Sequence, residues 1–403
     1  MPPLRGTPAG SWDNTRRRAR TLAGVVQALE GLKVLDLATV FAGPGAARHL
    51  ADFGADVIKV EAPGGDGTRR MTWFPPEGGD SYAWKMLARN KRVVTIDLKS
   101  DAGRESLLRL ARHADVLIEN GRPGTIERLG IGPDVLLANN PGLVVLRISG
   151  FGQTGPYSSK AGFATIAEAM SGFAAINGEP NGAPLVPPVA LTDEVTALVG
   201  AFSIMVALRH RDRTGEGQVI DANLLESMVQ MMGPLPSAAA HLDYDQPRLG
   251  SGIPYSVPRG TFRCADGQWV AISTSAESVA ARVLELVGVG GDPRLATFAG
   301  RVEHRDEVDA MVGAWIAARD SDEVIAAFEG AQAAIGRVLT MRELIADPHV
   351  RAREVFVTVD GVVMPGPIAR LSKTPGEVRH AGRGVDFDAG AVLAAPEWPA
   401  PAG

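Results

Sequence analysis

The chain has 403 residues and a formal net charge of −5, with 45% hydrophobic and 22% charged residues. This length allows a large core divided among two or three domains, and the composition is that of a folded protein. The weakly acidic charge gives no electrostatic reason to expect a nucleic-acid partner. The single cysteine, Cys264, excludes an intrachain disulfide framework and a cysteine-rich zinc site. It also suits a reducing compartment such as the cytoplasm.

The first 24 residues predict a flexible N-terminal extension. Residues 16–20 are rich in arginine and lack the apolar core of a secretory signal, so a transit peptide is the alternative interpretation. No apolar stretch reaches the roughly 18 residues that a bilayer span needs, because charges or glycines interrupt every candidate. We therefore expect no membrane association.

The first elements form a predicted βαβ unit. A strand at residues 31–38 leads into a glycine-rich turn and helix over 42–53, and a second strand follows at 55–61. A helix N-terminus at such a turn is a place for a phosphate or a carbonyl group. The dinucleotide-binding fingerprint is absent, because a proline separates Gly43 from Gly45 and no third glycine follows in register. A nicotinamide-dependent enzyme is therefore disfavoured.

The next part of the chain continues the alternation of strands and helices. Strands are predicted at residues 90–99, 115–120 and 143–149, with a helix over 102–112. This order implies a mainly parallel sheet covered on both faces, and hence an α/β fold. Residues 25–225 are expected to form the N-terminal part of its large, Rossmann-like domain. The loops that follow the carboxyl ends of the strands are the expected ligand crevice.

A short apolar run then stops at an acid, Asp193, where a long helix begins. The apolar residues downstream keep one helical face apolar, which places Thr192 or Asp193 at the helix N-terminus. The positive field of that end would keep a carboxylate ionised and able to attack an electrophile. On spacing alone, ordinary N-capping is the preferred explanation of the aspartate.

The remaining third of the chain predicts a second, smaller domain. A hairpin turn at Asp266 and Gly267, a strand and three helices suggest an α+β domain over residues 226–332. The proline- and alanine-rich tail at 394–403 is expected to be disordered.

Short motifs in a fixed order carry a family resemblance. They lie at residues 32–37 with 42–44, 54–61, 90–92, 114–120, 127–130 and 214–218. In this order they resemble family III of the CoA-transferases, which includes formyl-CoA and carnitine CoA-transferases and the α-methylacyl-CoA racemases. The resemblance covers about residues 29–372. It implies that the large domain binds CoA, that the chain returns to the large domain after the small one, in a return segment over residues 333–393, and that two subunits interlock as linked rings in a homodimer.

The resemblance also implies the chemistry. Transfer of CoA from an acyl-CoA donor to a carboxylic acid acceptor uses no metal and no tightly bound cofactor. A protein carboxylate opens the thioester as a mixed acyl anhydride and is then converted to a protein-bound CoA thioester. Asp193 matches the acyl-accepting aspartate of the family, which now makes the nucleophile the preferred role, although capping and catalysis can coexist.

Contacts to CoA follow from the same matching, position by position. They are Phe41, Ala42, Ile96, Asp97, Lys99, Asn120 and Arg128. Lys99 and Arg128 would meet phosphates, although either one taken alone reads as a solvated surface charge. Arg69 and Arg70 are further candidates of lower weight for contacts to CoA. Gly250 and Gly252 belong either to a mobile loop that covers the thioester or to an ordinary surface loop.

The chain departs from the family pattern at several site positions. Racemases of the family use a His-Asp pair where this sequence has Phe163 and Ala164, neither of which can move a proton. A second carboxylate of formyl-CoA transferases is missing at Ala164 as well, and Phe41 replaces a glutamine, which predicts a more apolar acceptor pocket. Two alternatives stay open, a non-catalytic acyl-CoA-binding protein and a 2-methylacyl-CoA racemase.

Overall fold

The computed structural model describes residues 27–71 and 73–400 of the chain. The predicted flexible extension at residues 1–24 lies outside them. The strands of the main sheet are β1 (Lys33–Asp36), β2 (Asp56–Glu61), β3 (Lys91–Thr95), β4 (Val116–Glu119), β5 (Val144–Ser149) and β6 (Gln218–Asn223).

This sheet has the order β3-β2-β1-β4-β5-β6, and every neighbouring pair is parallel. The predicted α/β fold with a parallel sheet is confirmed. The direction of winding reverses between β1 and β4, which lie side by side although two strands separate them in the sequence. In open parallel sheets the loops that leave such a switch point form the ligand crevice.

Helices cover both faces of the sheet. They are α1 (Ala42–Asp52), α2 (Tyr82–Leu87), α3 (Asp101–Ala111), α4 (Thr125–Arg128), α5 (Pro133–Asn139), α6 (Ala164–Met170), α7 (Phe173–Ile176), α8 (Leu191–Thr214), α9 (Leu224–Gln230) and α10 (Leu235–Leu242), with a 3-10 turn at Gly67–Arg70. Successive strand residues point to opposite faces, so Val34 joins the core under α1 and α8 while Leu35 joins the core under α3 and α5. Continuous apolar strands are therefore buried on both sides.

The long helix α8 corrects one expectation. By length and composition it is apolar enough to cross a membrane, and it is the one such helix in the described part of the chain. The sequence interpretation had rejected every candidate. Its inner face, with Ala197, Ile204 and Leu208, is buried in the core, whereas Phe202 on the outer face is 71% exposed.

A three-stranded antiparallel sheet forms the second unit. Its strands are β7 (Arg259–Arg263), β8 (Trp269–Ser273) and β9 (Ala334–Arg337), and its helices are α11 (Glu277–Leu286), α12 (Phe298–Glu303), α13 (Arg305–Ala317) and α14 (Ser321–Gly330), with a 3-10 turn at Pro293–Leu295. The hairpin turn predicted at Asp266 and Gly267 joins β7 to β8. β9, which the prediction assigned to the return segment, pairs with β8, and α9, which it assigned to the small domain, contributes Leu224 and Met228 to contacts with the main core and with Thr192.

The C-terminal segment packs on the main sheet. It contains α15 (Met341–Ala346), α16 (Pro348–Ala352), the antiparallel hairpin of β10 (Phe356–Val359) and β11 (Val362–Pro365), and α17 (Ala389–Ala394). Trp398 Nε1 donates to Asp56 Oδ2 at 2.8 Å, and the guanidinium of Arg92 donates to the carbonyl groups of Pro399 and Ala400. Residues 398–400 are therefore packed against β2 and β3, and the expectation of a disordered tail is wrong for them.

Candidate active site

Asp193 lies in the first turn of α8 and is its third residue. The N-cap position belongs to Ala190, which forms no side-chain cap. The N-cap interpretation of Asp193 is thus not what the structure shows. Within the described residues the Asp193 carboxylate has no hydrogen bond and no ion pair, and it is half-buried. A carboxylate left without a partner at a helix N-terminus is available for chemistry.

The surroundings of Asp193 make its carboxylate unusually basic. Burial has the largest effect, and the negative charges of Glu168 and Glu194 add to it, which together raise the pKa of Asp193 to about 6. At neutral pH the group is mostly ionised, yet its conversion to a neutral form releases more free energy than the same conversion of an exposed aspartate. This combination suits a nucleophile that must form a covalent bond.

Glu194 connects this turn of α8 to α1. Its Oε1 accepts hydrogen bonds from Arg48 Nη2 and lies 2.8 Å from His49 Nε2. Burial alone would raise the pKa of Glu194, but the bond from His49 and the charge of Arg48 outweigh it and lower the pKa to about 2. Glu194 therefore stays ionised and holds the N-terminus of α8 against α1.

Glu168 is a site residue that the sequence analysis missed. It lies on α6 and is only 2% exposed, and its Oε1 accepts a hydrogen bond of 2.9 Å from Thr192 Oγ1, directly before Asp193. The family resemblance places a second acid at position 164, which is alanine in this chain. A residue four positions further along a helix lies on the same face, so the spacing from Ala164 to Glu168 was the available signal.

The loops after β1 and β4 meet at the switch point. Thr39 N donates to Asn120 Oδ1 at 2.8 Å, and Asn120 Nδ2 donates to Thr39 O at 2.7 Å. Phe41 is the N-cap of α1, and Ala42 begins the helix as a buried residue. Val40 has a φ of 69°, a strained value for a β-branched residue. Three of the expected CoA contacts, at positions 41, 42 and 120, therefore share one corner of the sheet.

The residues after β3 form a turn at the same edge of the sheet. Ile96 is buried, and Asp97 Oδ1 accepts a hydrogen bond of 3.0 Å from Lys99 N, which shapes the turn before α3. The ammonium group of Lys99 is exposed and forms no ion pair with the part of the chain that the structure describes. It is therefore free to meet an anion.

The loop and the helix that carry Arg128 are held at this edge by a network of ion pairs and hydrogen bonds. Arg147 on β5 donates to Glu119 Oε1 at 2.8 Å and pairs with Glu127 Oε1 at 2.8 Å, and Glu119 Oε2 accepts from Gly121 N at 2.7 Å. These bonds fix the loop before α4 and α4 itself. The Arg128 guanidinium, exposed at the end of α4, contacts Thr125 Oγ1 at 3.1 Å.

Of the arginine pair at 69 and 70, Arg69 is engaged in ion pairs with acidic side chains. Arg69 is buried, donates to both carboxylate oxygens of Glu61 at 2.8 and 2.7 Å and to Asp80 at 2.7 Å, and lies over the Trp84 ring. Arg70 Nη1 donates to Gly64 O at 2.8 Å. Arg69 is thus a structural residue, and the lower-weight prediction that it contacts CoA does not fit this arrangement.

The glycine loop lies against the segment that precedes the candidate nucleophile. Gly250 N donates to Gly178 O at 3.0 Å, and Gly252 N donates to Leu249 O at 2.8 Å. Arg248 Nη1 donates to Ala175 O at 3.3 Å.

The positions of the racemase pair hold an exposed Phe163, the N-cap of α6, and Ala164, its first residue. Neither side chain can exchange a proton.

Comparisons with known proteins agree on one family. The sequence model described as CoA-transferase family III matches residues 29–383. The succinyl-CoA–D-citramalate CoA-transferase of Chloroflexus aurantiacus is 37% identical over 362 residues, which are 88% of this chain and 90% of the relative. The β subunit of the succinyl-CoA–L-malate CoA-transferase of the same organism is 38% identical, with 88% of this chain and 90% of that relative covered.

Solved structures give the same result. A crystal structure of a CaiB/BaiF family protein from Brucella suis superposes with a TM-score of 0.82 and 31% identity, covering 92% of this chain and 100% of that one. With the family match spanning most of the sequence, the chain belongs to CoA-transferase family III and is a CoA-transferase, an enzyme whose substrates are CoA thioesters.

Proposed function

We propose that this enzyme transfers CoA from an acyl-CoA donor to a free carboxylic acid through covalent intermediates on Asp193. The observation that carries the proposal is the state of this carboxylate, which is half-buried, unpaired within the described residues and raised in pKa to about 6. Such a group is ionised at neutral pH and gains stability on acylation.

The transfer needs two pairs of exchanges. Asp193 attacks the thioester carbonyl carbon, the carbon–sulfur bond breaks, and CoA leaves as a thiolate from a mixed anhydride. The thiolate attacks the aspartyl carbonyl carbon, which releases the donor acid as a carboxylate and leaves an aspartyl-CoA thioester. The acceptor carboxylate then reverses the two exchanges and restores Asp193. Each exchange consumes one anion and releases another, so the reaction requires no general acid, in keeping with Ala164.

The relatives suggest the substrates. Two of them are named for succinyl-CoA as donor and for D-citramalate or L-malate as acceptor. We place succinyl-CoA as the donor and a dicarboxylic acid of that size as the acceptor. The phosphates of CoA would bind at Lys99 and Arg128, whose cationic groups are exposed at the carboxyl edge of the sheet, with residues 41, 42, 96, 97 and 120 around the remainder of the molecule.

Trapping the intermediate tests this function. The parent protein and Asp193→Ala would be incubated with succinyl-CoA, treated with hydroxylamine or borohydride, and weighed as intact proteins. We expect a mass change on the parent alone, and exchange of labelled succinate into succinyl-CoA by the parent alone. If CoA thioesters bind and neither protein forms an adduct or exchanges label, the covalent mechanism is wrong and binding without turnover replaces it.

We propose that the enzyme acts as a homodimer that covers the outer face of α8. Leu198, Phe202 and Val206 on this face are 41%, 71% and 55% exposed, and an apolar row of this kind usually faces a partner. Light scattering is expected to give a dimer for the parent and a smaller species for Phe202→Glu. A monomeric parent, or a requirement for a second, different chain as the name of the L-malate relative suggests, would contradict the homodimer.

A further inference from the structure

The buried carboxylate of Glu168 is an uncompensated charge beside the candidate nucleophile. Glu168 is 2% exposed, and its side-chain partner in the described residues is the neutral hydroxyl of Thr192, at 2.9 Å. Thr192 Oγ1 also lies 3.4 Å from Met228 Sδ. A glutamine would accept the same hydrogen bond without the cost of burying a charge. The acid at this position therefore requires a reason other than packing.

The second acid of the site, Glu194, is placed differently. Its carboxylate is paired with Arg48 and His49 on α1, and part of its charge is neutralised there. Among the residues that the structure describes, Glu168 has no cation of this kind, and Met228 of the neighbouring α9 contacts the same Thr192 hydroxyl only through its sulfur. Its charge therefore acts on Asp193 with little compensation, and it is the larger of the two charge effects on that carboxylate.

We propose that Glu168 is a positioning residue that favours the covalent states of Asp193 by its negative charge. This inference rests on the proposed function. An ionised Asp193 is repelled by Glu168, whereas an aspartyl anhydride or an aspartyl-CoA thioester carries no charge on that carboxyl group. Acylation relieves the repulsion, so Glu168 lowers the cost of each covalent intermediate and makes Asp193 a stronger nucleophile. Its hydrogen bond to Thr192 orients the carboxylate toward the first turn of α8.

The structure also explains why a second acid can act from α6. Ala164 and Glu168 lie one helical turn apart on the same face of α6, so the acid missing at the first position is supplied from the second. Glu168 need not touch substrate, because its effect passes through the electric field at Asp193. This separates its role from that of a general acid, which must reach the proton that it transfers.

Charge removal at constant shape tests the proposal. Glu168→Gln keeps the acceptor for Thr192, and the control Glu226→Gln makes the same chemical change at an exposed residue on the neighbouring α9. With succinyl-CoA, we expect the trapped covalent fraction of Glu168→Gln to fall at least about fivefold, and the acidic limb of kcat/KM to move down by about half a pH unit or more. Glu226→Gln should match the parent in both, and Glu168→Asp should retain most of the adduct.

A second variant guards against a folding defect. The double change Glu168→Leu with Thr192→Val removes donor and acceptor together, so no buried polar group is left unpaired, and it should show the same two shifts as Glu168→Gln. The other charge that acts on Asp193, Glu194, and its partners Arg48 and His49 are unchanged in it. Variants with the covalent fraction and acidic limb of the parent would overturn the role of Glu168, as would an equal loss in Glu168→Asp. A parent that forms no adduct would instead contradict the proposed function.

Discussion

The field that makes Asp193 reactive also costs the folded protein stability. Burial and the two neighbouring acids raise the pKa of Asp193 to about 6, above its value in the unfolded chain. The cost is therefore absent at pH values below the unfolded pKa, develops as the pH rises between the two values, and is complete above about 6. We expect Asp193→Asn to raise the free energy of unfolding by about 1–3 kcal/mol at pH 8 and by only about half as much at pH 5.

Urea denaturation of parent and variant at the two pH values measures this difference. The same pKa predicts that the rate of acyl transfer by the parent falls as the pH drops through about 6, because the nucleophile becomes protonated. A stability difference that is the same at both pH values would mean that the charge of Asp193 is not its cause.

Two cationic residues near the carboxyl edge of the sheet are expected to respond in opposite ways. Arg69→Ala leaves Glu61 as a buried charge without its partner, so it should lower the free energy of unfolding by about 3 kcal/mol. Lys99→Ala removes an exposed group, so it should leave stability within about 0.5 kcal/mol and raise the KM for the CoA thioester about tenfold. Denaturation and initial rates on the two purified variants separate these roles.

A folded Arg69→Ala protein with normal stability and a tenfold higher KM would restore Arg69 as a phosphate ligand. The sequence analysis offered both residues as contacts to CoA and gave Arg69 the lower weight, without a structural reason to exclude it. Arg69 contacts Glu61 and Asp80 only after the chain has folded around Trp84. No spacing in the sequence predicts these ion pairs.

At the scale of elements, α1 and α8 approach closely because glycine lies between them. A Cβ added at Gly45 would lie 2.9 Å from Ala197 Cβ and 3.6 Å from Glu194 Oε2. Gly45→Ala must therefore displace the first turns of α8, which carry Asp193. We expect a loss of about 1–3 kcal/mol in the free energy of unfolding and a lower rate of adduct formation.

The matched control is Gly390→Ala on the exposed face of α17, where an added Cβ meets nothing within 4 Å. It should leave the rate unchanged and raise stability by up to about 1 kcal/mol, since alanine is the better helix former. Equal behaviour of the two variants, by denaturation and by mass spectrometry, would refute the close contact as the reason for a glycine at position 45.

Local patterns predicted the elements better than their partners. Continuous apolar strands and the alternation of strand and helix are set by neighbouring residues, and β1 to β5, α1, α3 and α8 lie where the patterns placed them. The start of α8 was placed one or two residues late, because Ala190 caps the helix without a polar side chain. Glu168 was missed for a related reason, since its importance depends on the packing of α6 against α8.

At the scale of the whole molecule, the site depends on strand order. The loops after β1 and β4 meet because these strands are neighbours in the sheet, although β2 and β3 separate them in the sequence. Parallel strands predict only that their carboxyl ends share an edge. The order itself is decided by how helices pack over the sheet, so the contact of Thr39 with Asn120 could not be read from either motif alone.

Asn90 is a buried side chain that ties the C-terminal segment to the large domain. Asn90 Nδ2 donates to Asp52 Oδ1 at 3.0 Å and to Glu377 O at 2.8 Å, and Asn90 Oδ1 accepts from Arg379 N at 2.7 Å. Asn90 also has a φ of 62°, which asparagine tolerates better than alanine. Asn90→Ala should therefore lower the free energy of unfolding by about 2–4 kcal/mol.

Limited proteolysis would show where this loss is felt. Because residues 377–379 lose their anchor to the large domain, native-state cleavage between residues 366 and 385 should be at least about tenfold faster in Asn90→Ala than in the parent. Asn181→Ala, at an exposed position in a loop, should leave that rate unchanged. Cleavage of Asn90→Ala at the parental rate would show that the C-terminal segment is held by other contacts, such as those of Arg89 with Pro365 O and Asp388 with Val93 N.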